Sequence, residues 1–306
     1  MKQLILGTRG SALALAQVDL TEAALAQAWP ELATKREIFI TRGDQKLDLN
    51  LLQKGDGGGK GLFTRELEHA LSEGAIDVAV HSLKDLPGNN PEGLEIAAVL
   101  ERASIADVLV SKADGGLQAL PQGAIVGTSS IRRARQLAWH RPDLRIEEWR
   151  GNVPTRLRKL GERAEVSAIV LAEAGLRRLG LFSPEGKVLS EGNSFFSTSL
   201  AEVLIPAIGQ GAVALQIRSD RREVAGVLEK INHPPTMLAI RAEREVQRLL
   251  AGDCSVPVGV RTELENGGLK LTGILFTPES ATPVTGEAEG TDPEAVAREL
   301  CAQLQR

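Results

Sequence analysis

The chain is poor in cysteine, histidine and aromatic residues, and each shortage removes a class of function. Two cysteines in 306 residues, Cys254 and Cys301, supply neither a disulfide framework nor metal-ligand spacing. That usage fits a reducing compartment. The four histidines, His69, His81, His140 and His233, form no metal-ligand spacing either, so no metal is expected. None of them lies near Cys254 in the sequence, which leaves a Cys/His nucleophilic pair without local support. Aromatic residues make up 3% of the chain and the net charge is −4, so nucleic acid is not an expected partner. No apolar run approaches the roughly 18 residues needed to cross a bilayer. Apolar residues near the N-terminus and an Ala-x-Ala pattern suggest a signal peptide, but Arg9 interrupts them after four residues. A cytoplasmic protein is expected.

What is present is ordinary globular material, 42% hydrophobic and 25% charged, in a chain long enough for two or three domains. The charge is unevenly spread. Between Ile131 and Arg163 ten Lys/Arg stand against four Asp/Glu, a local +6 within an acidic chain. A basic patch of that kind points to a defined anionic ligand rather than a polyanion.

The organising stretch is AIDVAVHSLKDLPG, from Ala75 to Gly88. Its apolar run lacks polar alternation, which predicts a strand covered on both faces. The run ends abruptly and delivers His81, Ser82, Lys84 and Asp85 into a turn closed by Pro87 and Gly88. Ligands of parallel sheets sit beyond the carboxyl ends of strands, so an acid and a base placed there are candidates for chemistry.

The N-terminal segment QLILG predicts a first strand, and SALALAQVDLTEAALAQAW a helix capped by Ser11 with Arg9 just ahead of its positive end. EIFITRG predicts a second strand. The stretch LLQKGDGGGKGLF fails as a phosphate-binding P-loop, since Lys54 stands where the first glycine is required and Gly61 where Ser/Thr is required. Its five glycines predict a mobile flap, with Lys60 and Phe63 at its end able to fold over a ligand. FTRELEHALSEG predicts a helix closed by Gly74.

A second domain repeats one layout. AIVG is followed by Thr128, Ser129 and Ser130 and then by a helix carrying Arg132, Arg133 and Arg135. A strand expected to end at Trp149-Arg150 is followed by a Gly151-Asn152 turn and a helix carrying Arg156. SAIVLAEAGLRRLG forms a third unit, with Arg178 near its end. Arginine at repeated strand–turn–helix junctions favours a polyanionic ligand, because the helix dipole already attracts anions there. LFSPEGKVLSEGNSFFSTSL is expected to be a surface excursion. The Gly209–Ala214 run loosely matches a dinucleotide fingerprint, but AVALQIR alternates like a strand, so a hinge is the better reading. After a long helix ending at Gly252, three alternating segments and a helix capped by Asp292 predict a small α+β domain. Cys301 sits at helical spacing with Val296 and Leu300 and is expected in the core, whereas Cys254 lies in a turn.

The segments GTRGSALALAQ, GGKGLFTRELE, DVAVHSLKDLP, VGTSSIRRARQL, RGNVPTRLRKL, LAEAGLRRLG, PAIGQGAVALQIR and AEREVQRLLAGDCSVPVG, in this order, resemble the porphobilinogen deaminase (hydroxymethylbilane synthase) family across essentially the whole chain. The resemblance implies an α/β fold of two domains like a type II periplasmic binding protein, with mixed, mainly parallel sheets, plus the small C-terminal domain. The implied boundaries are 1–101 with 212–230, then 106–205, a hinge at 206–211, and 232–306. It further implies a covalent dipyrromethane held by a thioether to Cys254. Four porphobilinogen units add to it with loss of ammonia, and hydrolysis then frees a linear tetrapyrrole. The family's catalytic aspartate matches Asp85. Its binding residues match Arg9, Ser11, Gln17, Lys84, Thr128, Ser129, Ser130, Arg132, Arg133, Arg150, Arg156, Ala172 and Gln210, with Lys60 and Phe63 in the flap. A small-molecule substrate, no membrane, no nucleic acid and a monomeric state follow from the same resemblance.

This sequence departs from the family pattern in two places. Asp253 replaces a glycine beside Cys254, which is expected to raise the thiol pKa, and the segment around 181–200 is longer than usual. The chemistry suits the residues. Pyrroles bearing acetate and propionate match guanidinium forks, a fixed carboxylate suits the cation left when an amine departs, and a thiolate traps such an electrophile. The rival reading, a two-lobed solute-binding or sensor protein, accounts for the basic cleft but leaves Asp85, Cys254 and the third domain unexplained.

Overall fold

Strand β3 (Val78–Ser82) has Val78, Ala79 and Val80 buried, as a run without polar alternation predicts, and it continues through the buried His81 to Ser82, both expected in the turn beyond. It belongs to a computed structural model that describes residues 1–39, 64–183, 185–250, 256–265, 267–278 and 280–306. Packing separates the chain into two units, Met1–Ala103 with Gly211–Cys254 and Ser104–Gln210 with Ser255–Arg306.

The first unit contains β1 (Gln3–Arg9), α1 (Ala12–Ala28), β2 (Ala33–Phe39), α2 (Arg65–Ser72), β3 and β4 (Leu94–Val99). Later in the chain β11 (Val213–Arg218), α7 (Arg222–Glu229) and α8 (Pro234–Leu249) complete it. Its sheet runs β2-β1-β3-β11-β4. Only β11 is reversed, since it pairs antiparallel with both β3 and β4. Leu4, Leu6, Val78, Val80 and Leu215 pack on one face against Val18 and Leu25 of α1 and Val224 and Leu228 of α7. Ile76 and Ala79 pack with Leu67 and Leu71 of α2 in a separate cluster. Ser11 caps α1 as expected, its hydroxyl accepting from the Ala14 N–H at 3.3 Å.

The second unit contains β5 (Asp107–Ser111), α3 (Gly116–Ala119), β6 (Ile125–Gly127), α4 (Ile131–His140), β7 (Arg145–Glu147), α5 (Val153–Glu162), β8 (Val166–Ala172), α6 (Glu173–Arg178), β9 (Val188–Ser190) and β10 (Asn193–Ser199). Its main sheet runs β7-β6-β8-β5-β10-β9, with β7, β6 and β8 parallel and β5 and β9 reversed. β12 (Val258–Glu265), β13 (Gly268–Leu275) and β14 (Val284–Gly290) form an antiparallel sheet covered by α9 (Pro293–Leu304). Asp292 caps α9, and Cys301 is buried in it, as the helical spacing predicts.

Two expectations are corrected. The segment expected as a surface excursion is instead the hairpin β9–β10, and β10 pairs with β5 in the main sheet. Glu191 and Gly192 both take positive φ, 46° and 81°, which gives the two-residue turn that suits the twist of a hairpin. Phe195 then faces inward and is buried. The expected strand end at Trp149-Arg150 also moves, because β7 stops at Glu147 and Trp149 turns into the core. Ile240 of α8 packs with Leu83, Leu86 and Ala214 within the first unit.

Candidate active site

In the first unit the parallel strands β1 and β3 end side by side, and both chains continue into polar turns. β1 hands over to Arg9 and the start of α1, while β3 hands over to Ser82 and a 3-10 turn, Leu83–Asp85. Between them lies a cleft of about 60 Å³ lined by residues that include Arg9, Ser11, Gln17, His81, Ser82 and Asp85. Gln17, buried on α1, exchanges hydrogen bonds with the Ser82 hydroxyl at 2.8 and 3.0 Å and so ties the helix to the end of β3. Asp85 is exposed at the tip of the turn. Lys84 is half-buried in the same turn and does not line the cleft.

His81 was not among the expected site residues, although it stands in the organising stretch. Its Nε2 lies 3.1 Å from Oε1 of Gln216 on β11. Burial pulls the imidazole pKa down to about 4, the nearby Arg9 charge adds to this, and the Gln216 hydrogen bond opposes it. The ring is therefore neutral at pH 7. Thr64 also lines the cleft and donates to Glu68 at 3.3 Å, a carboxyl pushed up chiefly by burial.

In the second unit β6 and β7 run parallel and finish together, so the starts of α4 and α5 lie along one sheet edge. Ser130 caps α4 by accepting from the Arg133 N–H at 3.5 Å, and Asn152 caps α5 by accepting from Thr155 at 2.9 Å. The Thr128 hydroxyl accepts from the Ser130 N–H, and the exposed Ser129 accepts from the Trp149 N–H at 3.1 Å, which joins the two turns. Arg150 donates to Glu148 at 2.8 Å and Arg156 to the Gly151 carbonyl at 2.7 Å.

Arg132 and Arg133 depart from the expected layout. Both guanidinium groups turn inward onto Asp107, at the start of β5. Arg132 Nη2 lies 2.8 Å from Asp107 Oδ2, and Arg133 Nη2 lies 2.7 Å from Oδ1. Gln210 donates to the same carboxylate at 2.9 Å and to the Ile105 carbonyl at 2.7 Å. Ala172 is the register partner of Asp107 across the β5–β8 ladder. Burial alone would raise the Asp107 pKa, but the two guanidinium charges and the hydrogen bonds outweigh it and hold the carboxyl well below its usual range. Four expected binding residues thus meet at Asp107, which was not among the expected site residues. Arg178 is a second correction: it lies in the last turn of α6, at the end of the helix dipole that repels anions. Cys254, Lys60 and Phe63 lie outside the described residues, as does Asp253. Among the described residues no cluster of His, Cys, Asp and Glu could hold a metal ion.

Comparison with known proteins covers nearly the whole chain. Residues 4–226 match the family model "Porphobilinogen deaminase, dipyromethane cofactor binding domain", and residues 237–306 match "Porphobilinogen deaminase, C-terminal domain". A porphobilinogen deaminase of Moorella thermoacetica is 46% identical, covering 99% of this chain and 93% of that protein. One from Syntrophomonas wolfei is 43% identical, with 99% and 95% covered. Among solved structures, the methionine-binding protein MetQ superposes with a TM-score of 0.43 at 13% identity, covering 81% of this chain and 94% of that one.

Proposed function

The chain belongs to the porphobilinogen deaminase family, a family of transferases with a dipyrromethane cofactor, and we propose that Asp85 is its catalytic carboxylate and Cys254 its point of cofactor attachment. The observation that carries the first half is the cleft in which Asp85 stands with Arg9 and the start of α1. The donor set suits a group bearing acetate and propionate side chains. A guanidinium, hydroxyl groups and a helix N-terminus are carboxylate-binding chemistry. When bound, the dipyrromethane supplies the pyrrole terminus on which the product grows.

In each join the C–N bond of the substrate's aminomethyl group breaks and ammonia leaves. A C–C bond then forms, and the pyrrole carbon that made it loses a proton. Asp85 is suited to both halves: it offsets the positive charge left by the departing amine and accepts the proton afterwards. Arg9 and the first amides of α1, ahead of the Ala14 N–H that Ser11 takes, hold substrate carboxylates beside it. Gln17 fixes Ser82 and hence the base of the turn that carries Asp85. The neutral His81 adds no like charge against the developing cation. In the second unit Thr128, Ser129, Ser130, Arg150 and Arg156 are proposed to bind further carboxylates at the starts of α4 and α5. There Arg132 and Arg133 act chiefly by holding the start of α4 to Asp107, with Gln210 and Ala172 beside them. Lys84 is proposed as a further carboxylate ligand, Lys60 and Phe63 as part of a covering flap, and 206–211 as the hinge that returns the chain to the first domain. The same reading has the enzyme acting on porphobilinogen as a cytoplasmic monomer. No helix among the described residues is long and apolar enough to cross a membrane.

Asp85→Asn tests the reading. It is expected to keep the fold and substrate binding while losing about 10²–10⁴-fold in turnover. Steady-state rates on the purified holoenzyme measure this, and a near-normal rate removes Asp85 from the mechanism.

A further inference from the structure

The loop that follows Asp85 is fastened along residues 86–90 to helix α8. Gln247 Nε2 donates to the Leu86 carbonyl at 3.3 Å. Arg244 Nη2 donates to the Gly88 carbonyl at 3.1 Å and to Asn90 Oδ1 at 3.0 Å. Leu83 and Leu86, which bracket Lys84 and Asp85, pack against Ile240 and Met237 of the same helix. The approach at Gly88 is close: a Cβ there would lie 3.2 Å from the Arg248 backbone nitrogen and 3.3 Å from the Gln247 carbonyl carbon. A side chain there would require the loop or the helix backbone to give by a few tenths of an ångström.

Arg244 holds its charge in an unfavourable place. Burial pulls its guanidinium pKa down to about 10, with no compensating carboxylate among the causes. Its Nη1 is buried without a hydrogen-bond partner. A cation desolvated in this way is costly to keep. The acceptors it does have are both on the loop behind Asp85.

We infer that Arg244, assisted by Gln247, is a positioning residue for Asp85: by gripping residues 86–90 from α8 it fixes where the exposed carboxylate stands. The inference rests on the catalytic reading of Asp85. Asp85 is exposed at the tip of the turn, so its placement depends on the two buried leucines that bracket it and on the loop. A displacement of about 1 Å at a reacting group is enough to cost up to about 10²-fold.

The test uses the holoenzyme with porphobilinogen as substrate. Arg244→Lys and Gly88→Ala are each expected to lower kcat about 10-fold while KM moves less than about 3-fold, the pattern of lost transition-state stabilisation. Asn90→Ala, at an exposed position, is expected to lower kcat about 3-fold with an unchanged melting temperature, and it decides the matter if either of the others fails to fold. Each change is then combined with Asp85→Glu, which keeps a carboxylate but displaces it. Once the carboxylate is already displaced, loosening the loop is expected to cost less than about 2-fold more. Equal losses in both backgrounds, or an unchanged kcat in Asn90→Ala, overturn the inference. A wild-type rate in Asp85→Asn overturns instead the reading it rests on, whatever Arg244 does.

Discussion

Burial of His81 against Gln216 denies the ring its charged form, and this has a consequence for stability. The folded pKa, about 4, lies below the ordinary 6.5, so between these values the unfolded chain binds a proton that the folded chain refuses. Stability from this residue is therefore complete above about pH 6.5 and is lost as the pH falls toward 4. Lowering the pH from 7.5 to 4.5 is expected to remove about 2–3 kcal/mol through His81 alone. Urea unfolding at the two pH values checks it, and His81→Asn should show a shallower decline over the same interval. At this scale the sequence was partly legible. Asp85 stood out because it lies in the turn beyond the carboxyl end of a buried strand, where ligands of parallel sheets sit, and Ser11 because a hydroxyl ahead of an Ala/Leu-rich run is a helix cap. The neutrality of His81 was not legible, since it depends on burial beneath elements distant in the sequence, among them β11, whose Gln216 is 135 positions away.

Asp107 shows what elements add. It joins β5 to α4 through Arg132 and Arg133, and β5 to the turn before β11 through Gln210. The two arginines also reach the Ile205 and Val170 carbonyls, at 2.7 and 2.9 Å, so the start of α4 is tied down on several sides. Asp107→Asn keeps the shape but leaves two buried guanidinium groups without their counter-charge. The expected loss is about 3–5 kcal/mol in urea unfolding, and an unchanged midpoint would show that the carboxylate is dispensable. The charge run between Ile131 and Arg163 points to a defined anionic ligand, but helical spacing alone does not say which arginines face inward. Arg132 and Arg133 do, whereas Arg150 and Arg156 remain half-buried at their turns. The β9–β10 hairpin was missed for a similar reason. Its Ser, Gly and Glu residues have loop composition, and only pairing with β5 makes the segment a strand.

For the whole molecule, the proposed covalent anchor at Cys254 is the feature that would separate this enzyme from a binding protein. Intact mass of the purified protein is expected to exceed the sequence mass by one dipyrromethane. Cys254→Ser should give the bare mass and no colour with an acidic aldehyde reagent for pyrroles, and pigment on that variant would place the anchor elsewhere. The sequence by itself determined the strands and helices whose periodicity is strong, the caps at Ser11, Ser130 and Asp292, the inward-facing Cys301 and, through its ordered motifs, the family. These follow from local patterns of burial and backbone hydrogen bonding, which a chain carries in its order of residues. Tertiary structure decided the rest. It inserted β11, from more than a hundred residues downstream, between β3 and β4, turned two arginines onto Asp107, silenced the charge of His81, and set α8 behind the Asp85 loop. Each of those outcomes depends on desolvation and on charged or polar partners brought together from distant positions, and neither quantity exists until the chain has folded.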